Sequence, residues 1–145
     1  MGSMTPPSTH SLGDDPRQIR EHLVRSRELA NTHGLPCAVV GVAGAPDDLM
    51  TPEFLNYVES ALRVEDTIFR MTRERAVLFL ADADGDKAQA IVERLLREFG
   101  VEFPTVDSPR PSLGYFAVQP GCAELLPKEV LPAVFPPVTR ARRTH

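Results

Sequence analysis

The sequence predicts a single α/β domain in which helices flank a mostly antiparallel central sheet. Three observations carry this. The chain has 145 residues, of which 42% are apolar and 25% charged, an ordinary globular composition in a chain long enough to bury a core without staples. Short valine-rich runs bounded by turn residues alternate with amphipathic stretches of helical period. The order of these elements is helix, strand, helix, strand, strand, helix, strand, which contains a βαββαβ succession.

Taken in order, the elements are as follows. Pro6, Pro7, Ser8, Thr9 and Gly13 leave little to bury, so residues 1–13 are expected to be disordered. Met1-Gly2-Ser3 ahead of Met4 reads as an expression scar. Asp15 suits an N-cap, with Pro16 in the first turn of a helix whose Ile19, Leu23 and Ala30 recur at helical spacing. Gly34 ends it. Cys37 to Ala43 is too short for a helix and rich in valine, hence a buried strand. Gly44, Pro46 and two aspartates form a loop, and Thr51-Pro52 opens a second helix with Phe54, Val58, Ala61 and Leu62 inward. Thr67 to Met71 and Ala76 to Leu80 are strands joined by Thr72-Arg73-Glu74-Arg75, a four-residue connection without glycine. Asp82, Asp84 and Gly85 lead to a third helix from about Lys87 to Phe99, closed by Gly100. Ser112 to Val118 is the last strand. Prolines at 120, 127, 132, 136 and 137 then prevent a long regular helix, and the tail carries Arg140, Arg142 and Arg143. The order matches ferredoxin-like and palm folds, with a domain over 14–120 and a Pro-rich segment with a basic tail over 121–145.

Charge and cysteine usage exclude several functions. Sixteen basic against twenty acidic side chains give a net charge of −4. A nucleic-acid polymer is therefore not the expected partner, because binding one needs a broad basic face. A local basic cluster can still hold a small anion. Cys37 and Cys122 form no C-x-x-C pair, and His10, His22, His33 and His145 are scattered, so buried thiols are expected rather than a zinc site or a histidine-centred triad. No run approaches the ~20 apolar residues of a membrane helix, and no signal peptide is visible. A soluble cytoplasmic protein without a cofactor is the expectation.

One stretch carries a more specific meaning. Leu62-Arg63-Val64-Glu65-Asp66-Thr67-Ile68-Phe69-Arg70-Met71, then a turn, then Ala76 to Leu80, resembles the centre of a GGDEF domain, the nucleotidyl-cyclase, palm-like fold of bacterial diguanylate cyclases. In that family a helix ends in R-x-x-D, a strand bears D-x-x-x-R, and the G-G-D/E-E-F turn precedes an apolar strand. Arg63 and Asp66 stand as R-x-x-D, and Arg70 keeps the D-x-x-x-R spacing. Downstream, Ala90 to Arg97 matches the family's A-E-R-I-R helix and Ser112-Leu113-Gly114 its S-I-G strand. The resemblance spans roughly 16–118 and runs without a gap from Arg63 to Arg94.

The resemblance also implies what is missing. Joining two GTP molecules requires metal ions held by carboxylates, one of them at the end of the first strand. Here that end reads Gly41-Val42-Ala43-Gly44-Ala45-Pro46, and the signature turn reads Thr72-Arg73-Glu74-Arg75-Ala76. The two glycines that would let backbone N–H groups approach a triphosphate are gone, and a cation stands where the second acid would be. No cyclase activity is expected. What the resemblance retains is the family's inhibitory-type site for cyclic di-GMP, which falls by position on Arg63, Asp66 and Arg94. Arginine forks onto guanine O6 and N7 or a phosphate, and a carboxylate accepts from guanine N1–H.

The expected function is thus a catalytically inactive, degenerate GGDEF domain that binds cyclic di-GMP and relays it to a protein partner in bacterial signalling, or to another copy of itself. The alternative is a nucleotide-independent scaffold for protein interaction, offering the first helix and the Pro-rich segment. Residue by residue, plainer readings stand beside these. Arg63 and Asp66 could form an exposed ion pair worth only ~0.2–0.5 kcal/mol, and Arg94 could lie on a solvated face. Arg70, Arg73 and Arg75 read as structural or solvated, and Phe54, Phe69, Phe79, Phe99 and Phe116 as core.

Overall fold

A computed structural model of the protein describes residues 15–104 and 109–136. The segment over 1–13 and the arginines of the tail lie outside the described residues. The elements are α1 (Gln18–His33), β1 (Cys37–Ala43), α2 (Met50–Ala61), β2 (Thr67–Thr72), β3 (Arg75–Ala81), α3 (Gly85–Glu102), β4 (Ser112–Val118) and α4 (Pro127–Val134). The four strands form one sheet in the order β2-β3-β1-β4, and every neighbouring pair is antiparallel. β1 and β3 are its inner strands and take apolar residues on both faces. Ala38, Val40, Val42, Leu78 and Leu80 pack against α2 and α3, while Cys37, Val39, Val77 and Phe79 meet α1 and α4. Two clusters therefore sandwich one sheet, which explains why β1 carries no polar side chain rather than alternating polar with apolar residues.

Several boundaries move, each for a local reason. Asp15 does not cap the first helix: its carboxylate accepts from the Arg17 N–H at 3.0 Å within the turn formed by Pro16 and Arg17, and α1 begins at Gln18 with Arg17 at its N-cap and no side-chain cap. Gly34 ends α1 in the left-handed region (φ 67°), donating to the Ala30 carbonyl. Gly100 does not close α3, which runs on to Glu102. The Phe103 ring lies 4.9 Å from that of Phe99 and 6.3 Å from that of Tyr57, and these contacts hold the last turn. The hairpin connection is two residues, Arg73-Glu74, not four, because β2 reaches Thr72 through an irregularity after Arg70 and pairs with Arg75. The segment after β4 contains an element not expected there, the eight-residue α4. Pro127 opens it, where no N–H is required, and buried Val130 and Val134 anchor it despite the internal Pro132. Cys37 is buried, with its thiol pushed up by that burial, whereas Cys122 is only half-buried. Among the described residues no helix is long and apolar enough to cross a membrane.

The aspartates of the β1–α2 loop are more than polar filler. Asp48 accepts from the backbone N–H groups of Met50 (2.9 Å), Thr51 (3.1 Å) and Arg110 (3.1 Å), and from the Thr51 hydroxyl at 2.7 Å. Burial pushes its carboxyl up, but these bonds outweigh it and hold the group below the usual carboxylate range. It thus caps α2 and ties that helix to the segment entering β4. Asp48→Ala should cost about 1–2 kcal/mol in urea unfolding near pH 7. Because the folded carboxyl is the stronger acid, this contribution is complete above the unfolded value of about 3.9 and fades as pH falls through the lower folded one. The gap between wild type and variant should accordingly close below about pH 4.

Candidate functional site

α2 stops at Ala61, Leu62 turns extended, and Arg63-Val64-Glu65-Asp66 make a tight turn closed by the Asp66 N–H on the Arg63 carbonyl at 3.0 Å. The R-x-x-D residues therefore follow the helix rather than end it. The turn sets their side chains together: Arg63 Nε lies 2.7 Å from Asp66 Oδ2, and Nη2 lies 3.0 Å from Oδ1. The same Nη2 donates to the Ala81 carbonyl at 2.7 Å, while the Ala81 N–H donates to Asp66 Oδ1 at 2.9 Å. Ala81 pairs with Cys37 of β1 on one side, but β2 begins only opposite Phe79. The Arg63–Asp66 pair thus supplies to the free side of Ala81 the donor and acceptor that a longer β2 would have offered.

This geometry corrects the picture of an exposed ion pair. The Asp66 side chain is 1% exposed, and that of Arg63 37%. The bonds to Asp66 raise the pKa of Arg63 further, against the opposing effect of burial. Glu65 approaches from the solvent side, its Oε2 3.4 Å from Arg63 Nη1, and Val64 stands fully exposed at the apex of the turn.

Arg94 lies on α3 with its side chain 53% exposed, in a loose pair with Glu98 at 3.6 Å. It shares one shallow cavity of about 110 Å³ with the turn. Ala61, Leu62, Ile91 and Leu95 form an apolar floor, and Arg63, Asp66, Lys87 and Arg94 stand around it. All three residues singled out from sequence therefore line the same depression. Lys87 was missed, although its position was legible: Lys87, Ile91 and Arg94 fall at i, i+4 and i+7, one face of a helix.

The other arginines are engaged elsewhere. Arg70 Nη1 donates to Asn56 Oδ1 and Glu59 Oε1, each at 3.1 Å, tying β2 to α2. The Arg75 guanidinium sits 4.7 Å over the Phe135 ring, a cation–π contact to the segment after α4. Arg73 is exposed. The Glu74 carbonyl accepts from the Gly44 N–H at 2.7 Å, so the hairpin turn is fastened to the end of β1.

No family model and no curated protein matches the sequence. Solved structures do match. The GGDEF domain of FimX from Pseudomonas aeruginosa is 14% identical with a TM-score of 0.62, over 84% of this chain and 88% of that one. A DGC protein from Thermotoga maritima is 18% identical with a TM-score of 0.59, over 81% and 92%. The chain has the GGDEF-domain fold. A PelD fragment from P. aeruginosa PA14, solved in complex with c-di-GMP, is 19% identical with a TM-score of 0.56, over 75% of this chain and 41% of that one. At such identities the likeness is one of fold, and the expected GGDEF-type architecture is the observed one.

Proposed function

We propose that this GGDEF-fold chain is a catalytically inactive receptor for cyclic di-GMP that passes occupancy of its site to a protein partner. The observation that supports it best is the meeting of Arg63, Asp66 and Arg94 around one cavity. At about 110 Å³ the depression admits a base rather than a whole dinucleotide. One guanine would sit on the apolar floor between the arginines, and the phosphodiester ring would lie across the rim. Asp66 already accepts three hydrogen bonds from Arg63 and Ala81 and its side chain is 1% exposed against 37% for Arg63, so the first contact belongs to the Arg63 guanidinium. Asp66 accepts from a guanine only once Arg63 has swung onto the ligand. That motion would withdraw a bond from the end of β3, which gives occupancy a route into the fold.

The inactive reading rests on side chains at the two places where the resemblance demands metal carboxylates. β1 leads out through Val42-Ala43-Gly44, and the next acid with any burial, Asp48, spends its carboxylate on three backbone N–H groups and a hydroxyl. At the hairpin, Arg75 occupies the second acidic position and stacks on Phe135. This donor set does not fit a divalent cation.

Calorimetric titration with cyclic di-GMP should give saturable binding at micromolar or tighter Kd. Arg94→Ala should weaken it at least tenfold without a change in unfolding midpoint, because Arg94 is half-exposed and only loosely paired. Absence of heat and of thermal shift at ligand far above micromolar would reject the receptor and leave the nucleotide-independent scaffold.

A further inference from the structure

Three cations stand around the cavity, and they differ in what already holds them. Arg63 is committed to Asp66, Glu65 and the Ala81 carbonyl, and Arg94 pairs with Glu98. The ammonium of Lys87 has no hydrogen-bond or ion-pair partner among the described residues, and its side chain is exposed at the cavity mouth. Its location is also locally unfavourable. Lys87 is the third residue of α3, after the Asp84 cap that accepts its N–H at 2.8 Å, where the helix dipole disfavours positive charge. A surface helix gains nothing in stability from a lysine there, whereas an anion in the cavity would meet both the ammonium and the positive end of the helix.

We propose that Lys87 is the phosphate-binding residue of this site, so that the site selects a guanine carrying a phosphodiester over the bare nucleoside. This inference rests on the cyclic di-GMP reading above. The floor and Arg63 take the base. Arg94 lies one face-repeat, seven residues, along α3 from Lys87, and Ile91 between them keeps the two cations apart on the same side of the cavity. The arrangement matches a ligand whose flat base and charged backbone are offset from each other.

The test is a titration of cyclic di-GMP, and separately of guanosine, into wild type, Lys87→Ala and Lys87→Arg at about 50 and 500 mM NaCl. Lys87→Ala should bind cyclic di-GMP about tenfold more weakly at low salt, Lys87→Arg within about threefold of wild type, and the difference should narrow at high salt. Guanosine should bind weakly and equally to all three. The unfolding midpoint of unliganded Lys87→Ala should equal or slightly exceed that of wild type, so lost binding cannot be lost fold. If wild type binds cyclic di-GMP and Lys87→Ala binds it equally well, the role of Lys87 is overturned and the receptor stands. If wild type does not bind it, both fall together.

Discussion

Asp66→Ala is expected to lower the stability of the domain by about 2–4 kcal/mol in urea unfolding followed by circular dichroism. The side chain is 1% exposed and accepts three hydrogen bonds, two of them from a guanidinium. Its removal strands the Ala81 N–H at the free side of β3, a buried donor that costs about 1–3 kcal/mol when unmet. It also leaves Arg63 with only the Ala81 carbonyl and the solvent-side Glu65. Arg63→Ala should cost a similar amount for the opposite reason, since a carboxylate at 1% exposure would keep a single N–H donor. The two together should cost at least ~1 kcal/mol less than their sum, because each single change leaves an unmatched charge that the double variant lacks. A shift below about 0.5 kcal/mol for Asp66→Ala would mean that the turn does not hold the sheet edge. The consequence for binding experiments is direct. Loss of ligand in Arg63→Ala has two possible causes, one in the site and one in the fold, while loss in Arg94→Ala has one.

How much of this was legible in the sequence depended on whether the information was local. β1 and β4 were read from their apolar runs with their observed bounds, because a buried strand between turn residues needs no knowledge of its partners. Gly100 misled, since a glycine near a helix end reads as a stop, and only the contact of Phe103 with Phe99 and Tyr57, partners more than forty residues apart in part, carries α3 past it. The hairpin connection expected from sequence is two residues too long because the irregularity after Arg70 has no local signature. α4 was obscured by its prolines, whose cost is met by burying Val130 and Val134 on a sheet face that no local pattern reveals. At the site, position alone brought out Arg63, Asp66 and Arg94. What could not be read was their inequality: Asp66 is sealed under Arg63 because β3 outruns β2 at Ala81, a fact of register rather than of composition.

Gly114→Ala should destabilise the domain by about 1–3 kcal/mol, although the same change elsewhere in this chain should stabilise it. Gly114 faces Gly41 across the β4–β1 ladder, and the Val134 carbonyl at the end of α4 rests on both. A Cβ at either position would fall inside van der Waals contact of that carbonyl group, and the obstacle is backbone, which cannot rotate aside as a side-chain tip can. The helix would have to lift, and with it Val130 and Val134, which it buries at 1% exposure each. Valine at 114 should cost more than alanine. Gly41→Ala should cost about as much as Gly114→Ala, and the pair together clearly less than the sum, because the first substitution already displaces the element that the second would meet. Gly100 provides the contrast. It lies inside α3 with nothing near the position of a new Cβ, so Gly100→Ala should raise stability by about 0.5–1 kcal/mol through helix propensity and a less flexible unfolded chain. Urea midpoints for the set decide the matter. Opposite signs at 100 and 114 would place α4 on the glycine pair, whereas a neutral Gly114→Ala would mean that this helix does not bear on the sheet where β1 and β4 meet. The result also bears on the hairpin, because Arg75 stacks on Phe135, the residue that follows α4. Lifting α4 would therefore release the Arg75 guanidinium from that ring.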